Sequence, residues 1–154
     1  MAMQVRHAMT EDPKSLGTER TAGDAAGLMA KFDFGAVPVT EGDQLVGVVT
    51  DRDLVVRVLA NRQDPNTVKL GDIVTKSVTT VTPDTELTDA RSVMERDKVR
   101  RLPVVKQGSL VGMLSLGDVA VALSSDRQVG EALKEISQSP STESINEGPA
   151  IGTP

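Results

Sequence analysis

The sequence predicts an α+β fold made of two copies of one β-α-β-β-α unit, related by a pseudo-twofold axis. Three observations predict it. Residues 5 to 58 align with 70 to 123 at a constant offset and without a gap. Each copy runs through the same order of apolar β stretch, helical periodicity, two β runs around a tight turn, and a second helical stretch. Phe32 and Phe34 are the only aromatics among 154 residues, so the core must come from Val, Leu and Ala, which suits packed strands and short helices.

The repeat is legible residue by residue. Thr10 matches Thr75, Asp24 matches Asp89, and Met29 matches Met94. Pro38-Val39 matches Pro103-Val104, Leu45-Val46-Gly47 matches Leu110-Val111-Gly112, and Asp53 matches Asp118. The first element is a β stretch, "SVTTVTP" at 77–83 and the weaker "PKSLGTE" at 13–19. A helix follows in which Leu87, Ala90, Val93 and Met94 share one face, with Asp84 or Thr85 as its N-cap. The first copy matches with Ala22, Ala25, Leu28, Met29 and Phe32. Two hairpins come next, "AVPVT" with "QLVGVVT" and "RLPVV" with "SLVGMLS", turning at "EGD" and "KQG". The closing helices cover 51–60 and 116–123.

These spans divide the chain into a first repeat over 1–62, a linker over 63–69 and a second repeat over 70–125. A short helix is expected at 126–136, then a Ser/Pro/Gly-rich mobile tail at 137–154. One repeat alone has too small a core, and two repeats bury their faces against each other.

Composition narrows the function. Net charge is −5 and the pI about 4.9, which disfavours a broad polyanion-binding surface. Aromatic scarcity disfavours single-stranded nucleic acid, whose bases stack on such rings. With no Cys there are no disulfides, thiolate metal sites or Cys nucleophiles. No apolar run approaches the ~20 residues of a membrane span, and "MAMQVRHAMT" has no signal-peptide core. A cytoplasmic location is expected. No phosphate-binding or dinucleotide glycine loop is present. His7 is the only His, so no His-dependent triad and no His cluster for a metal can be assembled; no catalysis is expected. Met3, Met9, Met29 and Met94 are read as core filler.

The chemistry concentrates where each hairpin hands over to its closing helix. Thr50 and Asp53 stand three apart across that junction, as do Ser115 and Asp118. Two readings are open for each pair. The residues can cap the helix, or the carboxylate can accept two bonds from the vicinal hydroxyls of a ribose while the hydroxyl adds one to sugar or phosphate. Arg52, Arg100 and Arg101 are the guanidiniums that could hold phosphate bidentately, or pair with surface carboxylates instead. The copies differ here: Gly35-Ala36 stands opposite Arg100-Arg101, and Gly117 opposite Arg52.

"AVPVTEGDQLVGVVTDRDL" and "RLPVVKQGSLVGMLSLGDV" together resemble the tandem cystathionine-β-synthase (CBS) domain pair, or Bateman module. The resemblance covers residues 1 to about 125. It implies a stand-alone regulatory protein that binds an adenine nucleotide, AMP or ATP, between the repeats and signals to a partner by changing shape. It implies that the ribose Asp comes from one repeat and the adenine wall from the other. The first site would then hold Val48, Thr50, Arg52 and Asp53, walled by Val78 and the segment from Val99 to Leu102. The second would hold Met113, Ser115, Gly117 and Asp118, walled by Pro13, Phe34, Gly35, Ala36 and Val37. The family also implies a homodimer through exposed helices, and no obligatory cofactor or metal. Two alternatives are a sensor of another adenosyl ligand, S-adenosylmethionine or NAD(H), and a ligand-free docking dimer.

Overall fold

The computed structural model describes residues 2–124, so the expected helix at 126–136 and tail at 137–154 lie outside the described residues. A 3-10 turn, Val5–His7, comes first, followed by two short strands, β1 (Thr10–Glu11) and β2 (Leu16–Gly17). Helix α1 (Ala22–Phe32) leads to the hairpin of β3 (Ala36–Glu41) and β4 (Gln44–Thr50). The closing helix begins as α2 (Asp51–Asp53) and continues as a π-helical segment, Leu54–Leu59. The second repeat runs α3 (Leu70–Ile73), α4 (Leu87–Asp97), β5 (Arg101–Lys106), β6 (Ser109–Ser115) and α5 (Leu116–Leu123).

Local chemistry accounts for these limits. Thr21 caps α1: its hydroxyl accepts the Asp24 N–H at 3.2 Å while Asp24 Oδ2 accepts the Thr21 N–H at 3.0 Å. Helices α1 and α4 both end on a left-handed residue, Asp33 (φ 56°) and Lys98 (φ 55°). The second hairpin turns on Gln107-Gly108, both at positive φ, as a tight two-residue turn needs.

The two hairpins meet at their tips, where Gln44 pairs with Ser109, 65 residues apart. Backbone bonds across this seam come in symmetric pairs. The Leu45 N–H donates to Gly108 O and the Leu110 N–H to Asp43 O, both at 3.0 Å. Thr10 pairs with Met113, and Thr75 with Val48. Leu16 lies parallel to Val39, and Val81 to Val104. The Val5 N–H bonds Thr85 O, and the Leu70 N–H bonds Arg20 O, both at 2.8 Å. Such matched bonds are the physical form of the pseudo-twofold axis.

They also show an exchange. Val5 packs with Val81, Leu87, Leu102, Leu114 and Val119, all from the second repeat. Leu70 and Ile73 pack with Ala25, Met29, Val37, Val39 and Val49, all from the first. Each core is closed by the opening turn of the other repeat. There are two linked cores rather than one shared core, and the division in space does not follow the linear division of the chain.

Several sequence expectations change. The stretch 77–83 is not a continuous strand, since only Val81 is paired, and its first-copy counterpart has only Leu16–Gly17. Both are stretched across the seam, and a segment passing from one hairpin to the other within the single six-stranded sheet has no neighbour along its middle. Neither Asp84 nor Thr85 caps α4: the N-cap is Glu86, without a side-chain bond, and the Leu87 N–H is satisfied by the Met3 carbonyl at 2.9 Å. Thr85 instead accepts the Thr82 N–H. Phe32 sits at the helix end and is 42% exposed, beside the Lys14 and Lys31 ammoniums. Met3 is exposed, while Met29 and Met94 are buried.

Candidate functional site

Both hairpin-to-helix junctions are built alike. Thr50 Oγ1 accepts the Asp53 N–H at 3.1 Å, and Asp53 Oδ2 accepts the Thr50 N–H at 2.9 Å. Ser115 and Asp118 do the same, both at 3.0 Å. These are reciprocal capping boxes, so the capping reading is realised twice. One oxygen of each carboxylate remains. Asp53 Oδ1 lies 3.8 Å from Arg57 Nε, and no partner occurs for Asp118 Oδ1 among the described residues.

Strand pairing decides which candidates gather. Ala36 stands opposite Thr50, and the Asp51 N–H donates to Gly35 O. Arg101 stands opposite Ser115, and the Leu116 N–H donates to Arg100 O. Arg100 and Arg101 therefore sit at the strand end that carries Ser115 and Asp118. No described hydrogen bond or ion pair joins them to Asp53. Arg52, Arg100 and Arg101 are exposed, and none forms an ion pair among the described residues, which leaves three free guanidiniums. Gly117 is exposed in the first turn of α5.

Between the repeats, each crossing segment pairs with the hairpin of the other repeat. Val48 exchanges backbone bonds with Thr75, which leads to Val78. Met113 pairs with Thr10, which leads to Pro13. Val37 and Leu102 are sealed in the two cores, so only their backbone can face a ligand. Val78, Pro13, Phe34, Gly35 and Ala36 are half-buried, and Val99 is exposed. Gly47 and Gly112 sit beneath the crossings: a Cβ on Gly47 would overlap the Thr75 carbonyl, and one on Gly112 would lie 3.1 Å from Thr10 O.

A cavity of about 220 Å³ opens at this seam, lined by Leu45, Val46, Gly47, Lys76, Val78, Thr80, Val105 and Gly108. Of the expected wall it contains Val78. Lys76, its only cation, and Thr80 were not singled out in the sequence, where nothing marks a residue of an irregular crossing as bordering a cavity. A wider depression of about 650 Å³ lies elsewhere, between the π-helical segment, the 63–67 turn and α3. Arg57, Asp64 and Asp72 are among its lining residues.

A family model described as CBS domain matches residues 5–60 and again 70–125. The chain belongs to the CBS domain family, as a tandem pair. It is similar to the CBS domain-containing protein YhcV of Bacillus subtilis (strain 168), with 36% identity over 133 residues, 86% of this chain and 94% of that protein. The crystal structure of hypoxic response protein I with two coordinated zinc ions superposes with a TM-score of 0.71 at 34% identity, over 79% of this chain and 99% of that one. The crystal structure of CBSX2 in complex with AMP superposes with a TM-score of 0.69 at 31% identity, over 80% of this chain and 98% of that one. Among the described residues, no three His, Cys, Asp or Glu side chains group to hold a metal ion, and no helix is long and apolar enough to cross a membrane.

Proposed function

We propose that this protein is a non-catalytic regulatory module that binds an adenine nucleotide, AMP or ATP, at the seam between its repeats. The observation that carries the reading is the seam itself. Residues of both repeats, a lysine among them, line a cavity there; a capped carboxylate stands at the hairpin-to-helix junction of each repeat, outside that lining; and CBSX2, 31% identical, has been crystallised with AMP. The cleft takes adenine against backbone, Asp53 or Asp118 takes the ribose hydroxyls, and Arg52, Arg100, Arg101 or Lys76 takes phosphate.

The cavity of about 220 Å³ is smaller than the roughly 300–1,000 Å³ usual for a ligand of this size. Binding therefore widens the seam, and the widening is the signal: occupancy is favoured by whichever spacing of the repeats fits the nucleotide better. The closing helices present Val56, Leu59 and Val121 to solvent, with Leu59 70% and Val121 73% exposed. An apolar face of this kind suits the homodimer that the family suggests. Val56→Asp with Val121→Asp should then halve the mass found by light scattering.

Calorimetry with AMP, ATP, NADH and S-adenosylmethionine tests the ligand. Asp53→Asn and Asp118→Asn keep an acceptor for the cap but lose the second carboxylate oxygen. Each should remove one binding event while the melting transition stays in place. If no nucleotide binds at about 1 mM or shifts the melting transition, the chain is a ligand-free docking dimer instead. Binding of S-adenosylmethionine alone would move the assignment to that ligand.

A further inference from the structure

The repeats share their seam bonds but differ four residues beyond each capping aspartate, where the first has Arg57 and the second Ala122. Arg57 Nε lies 3.8 Å from Asp53 Oδ1, the oxygen that the cap leaves over, and the Asp53 side chain is only 16% exposed. The same guanidinium donates through Nη1 to the Ile73 carbonyl at 2.5 Å. Ile73 ends α3, the turn that opens the second repeat yet packs in the first repeat's core. The backbone carrying Arg57 is also unusual. The Ala60 N–H donates to Val55 O and the Gln63 N–H to Val58 O, the spacing of a π-helix, whereas α5 keeps α-helical geometry. Such turns are frequent at functional sites, where the extra residue per turn re-aims side chains.

We propose that Arg57 is a positioning residue that ties Asp53 to the junction between the repeats, so that only the first site reports its state to the seam. One guanidinium holds Asp53 Oδ1 and the end of α3 together. When Asp53 Oδ1 turns to a ribose hydroxyl, Arg57 loses its counter-charge and its hold on Ile73 weakens. The next two amides donate to Leu70 O and Val48 O, and the second of these bonds crosses the seam. Among the described residues, the second repeat carries Ala122 in the place of Arg57, and an alanine side chain offers no guanidinium to link Asp118 to the seam. The identity of the ligand rests on the nucleotide reading above; the linkage does not.

Hydrogen exchange on the full chain without ligand tests it. Arg57→Ala should speed exchange at the Val74 and Thr75 amides about tenfold, through loss of a charge-assisted bond. Asp53→Asn, which keeps the cap acceptor but removes the charge, should speed it about threefold. The double variant should exchange no faster than Arg57→Ala, because Asp53 acts through Arg57. Asp118→Asn should leave both amides unchanged. Additive effects in the double variant, or an equal response to Asp118→Asn, would overturn the proposal. Failure of both AMP and ATP to bind would sink the nucleotide reading and leave the exchange result standing.

Discussion

At the scale of single residues, the tightest constraint is the pair of glycines under the crossings. A side chain on Gly47 has no room, because the Thr75 carbonyl occupies the position of its Cβ. Gly47→Ala should cost about 2–3 kcal/mol in urea unfolding, as the crossing is forced off the strand. Gly27 is the contrast: it lies on an exposed face of α1 with nothing near its would-be Cβ. Gly27→Ala should stabilise by about 0.5–1 kcal/mol in the same measurement. Both glycines look alike in the sequence, and only the neighbour across the seam separates them. The same holds for Asp53 and Asp118. Their spacing from Thr50 and Ser115 was legible and left cap and ligand roles both open; the cap bonds needed coordinates.

At the scale of elements, α1 shows how charge sets a helix start. The Arg20 guanidinium, bonded to Asp24 Oδ2 at 3.0 Å, and the Thr21 amide hold the Asp24 carboxyl at a pKa of about 2, below its ordinary 3.8. The unfolded chain binds that proton first. The Asp24 contribution is therefore complete above about pH 4 and is lost as pH falls toward 2. Asp24→Asn should flatten the fall of the melting temperature across that window, and an unchanged slope would remove Asp24 from the cap. Helical and hairpin periodicities were readable because local burial alternates with the element's own period. The stretch 77–83 was misread as a strand because its β-branched composition reports an extended backbone, while pairing depends on a neighbour that the sequence places elsewhere.

At the scale of the molecule, the exchanged opening turns make the two repeats interdependent. Leu70 belongs to the second repeat by sequence but is fully buried in the first repeat's core. Leu70→Ala should cost about 3 kcal/mol, and the added hydrogen exchange should appear at Val37 and Val49, not in α4 or α5. A response centred on α4 and α5 would contradict the exchange. A fragment ending at residue 62 should not fold, because Leu70 and Ile73, which close its core, would be missing. A ligand that widened the seam, as proposed above, would act on segments anchored in both cores.

Sequence alone determined the duplication, its offset, the order of elements and the two acidic junctions, since each depends on residues near in the chain or on an internal match. Tertiary structure decided which repeat closes which core, which carboxylate oxygens stay uncapped, and that Arg57 reaches both Asp53 and Ile73. Those outcomes depend on contacts between segments far apart in the chain, and a pattern read along one strand or helix carries no information about what lies across from it.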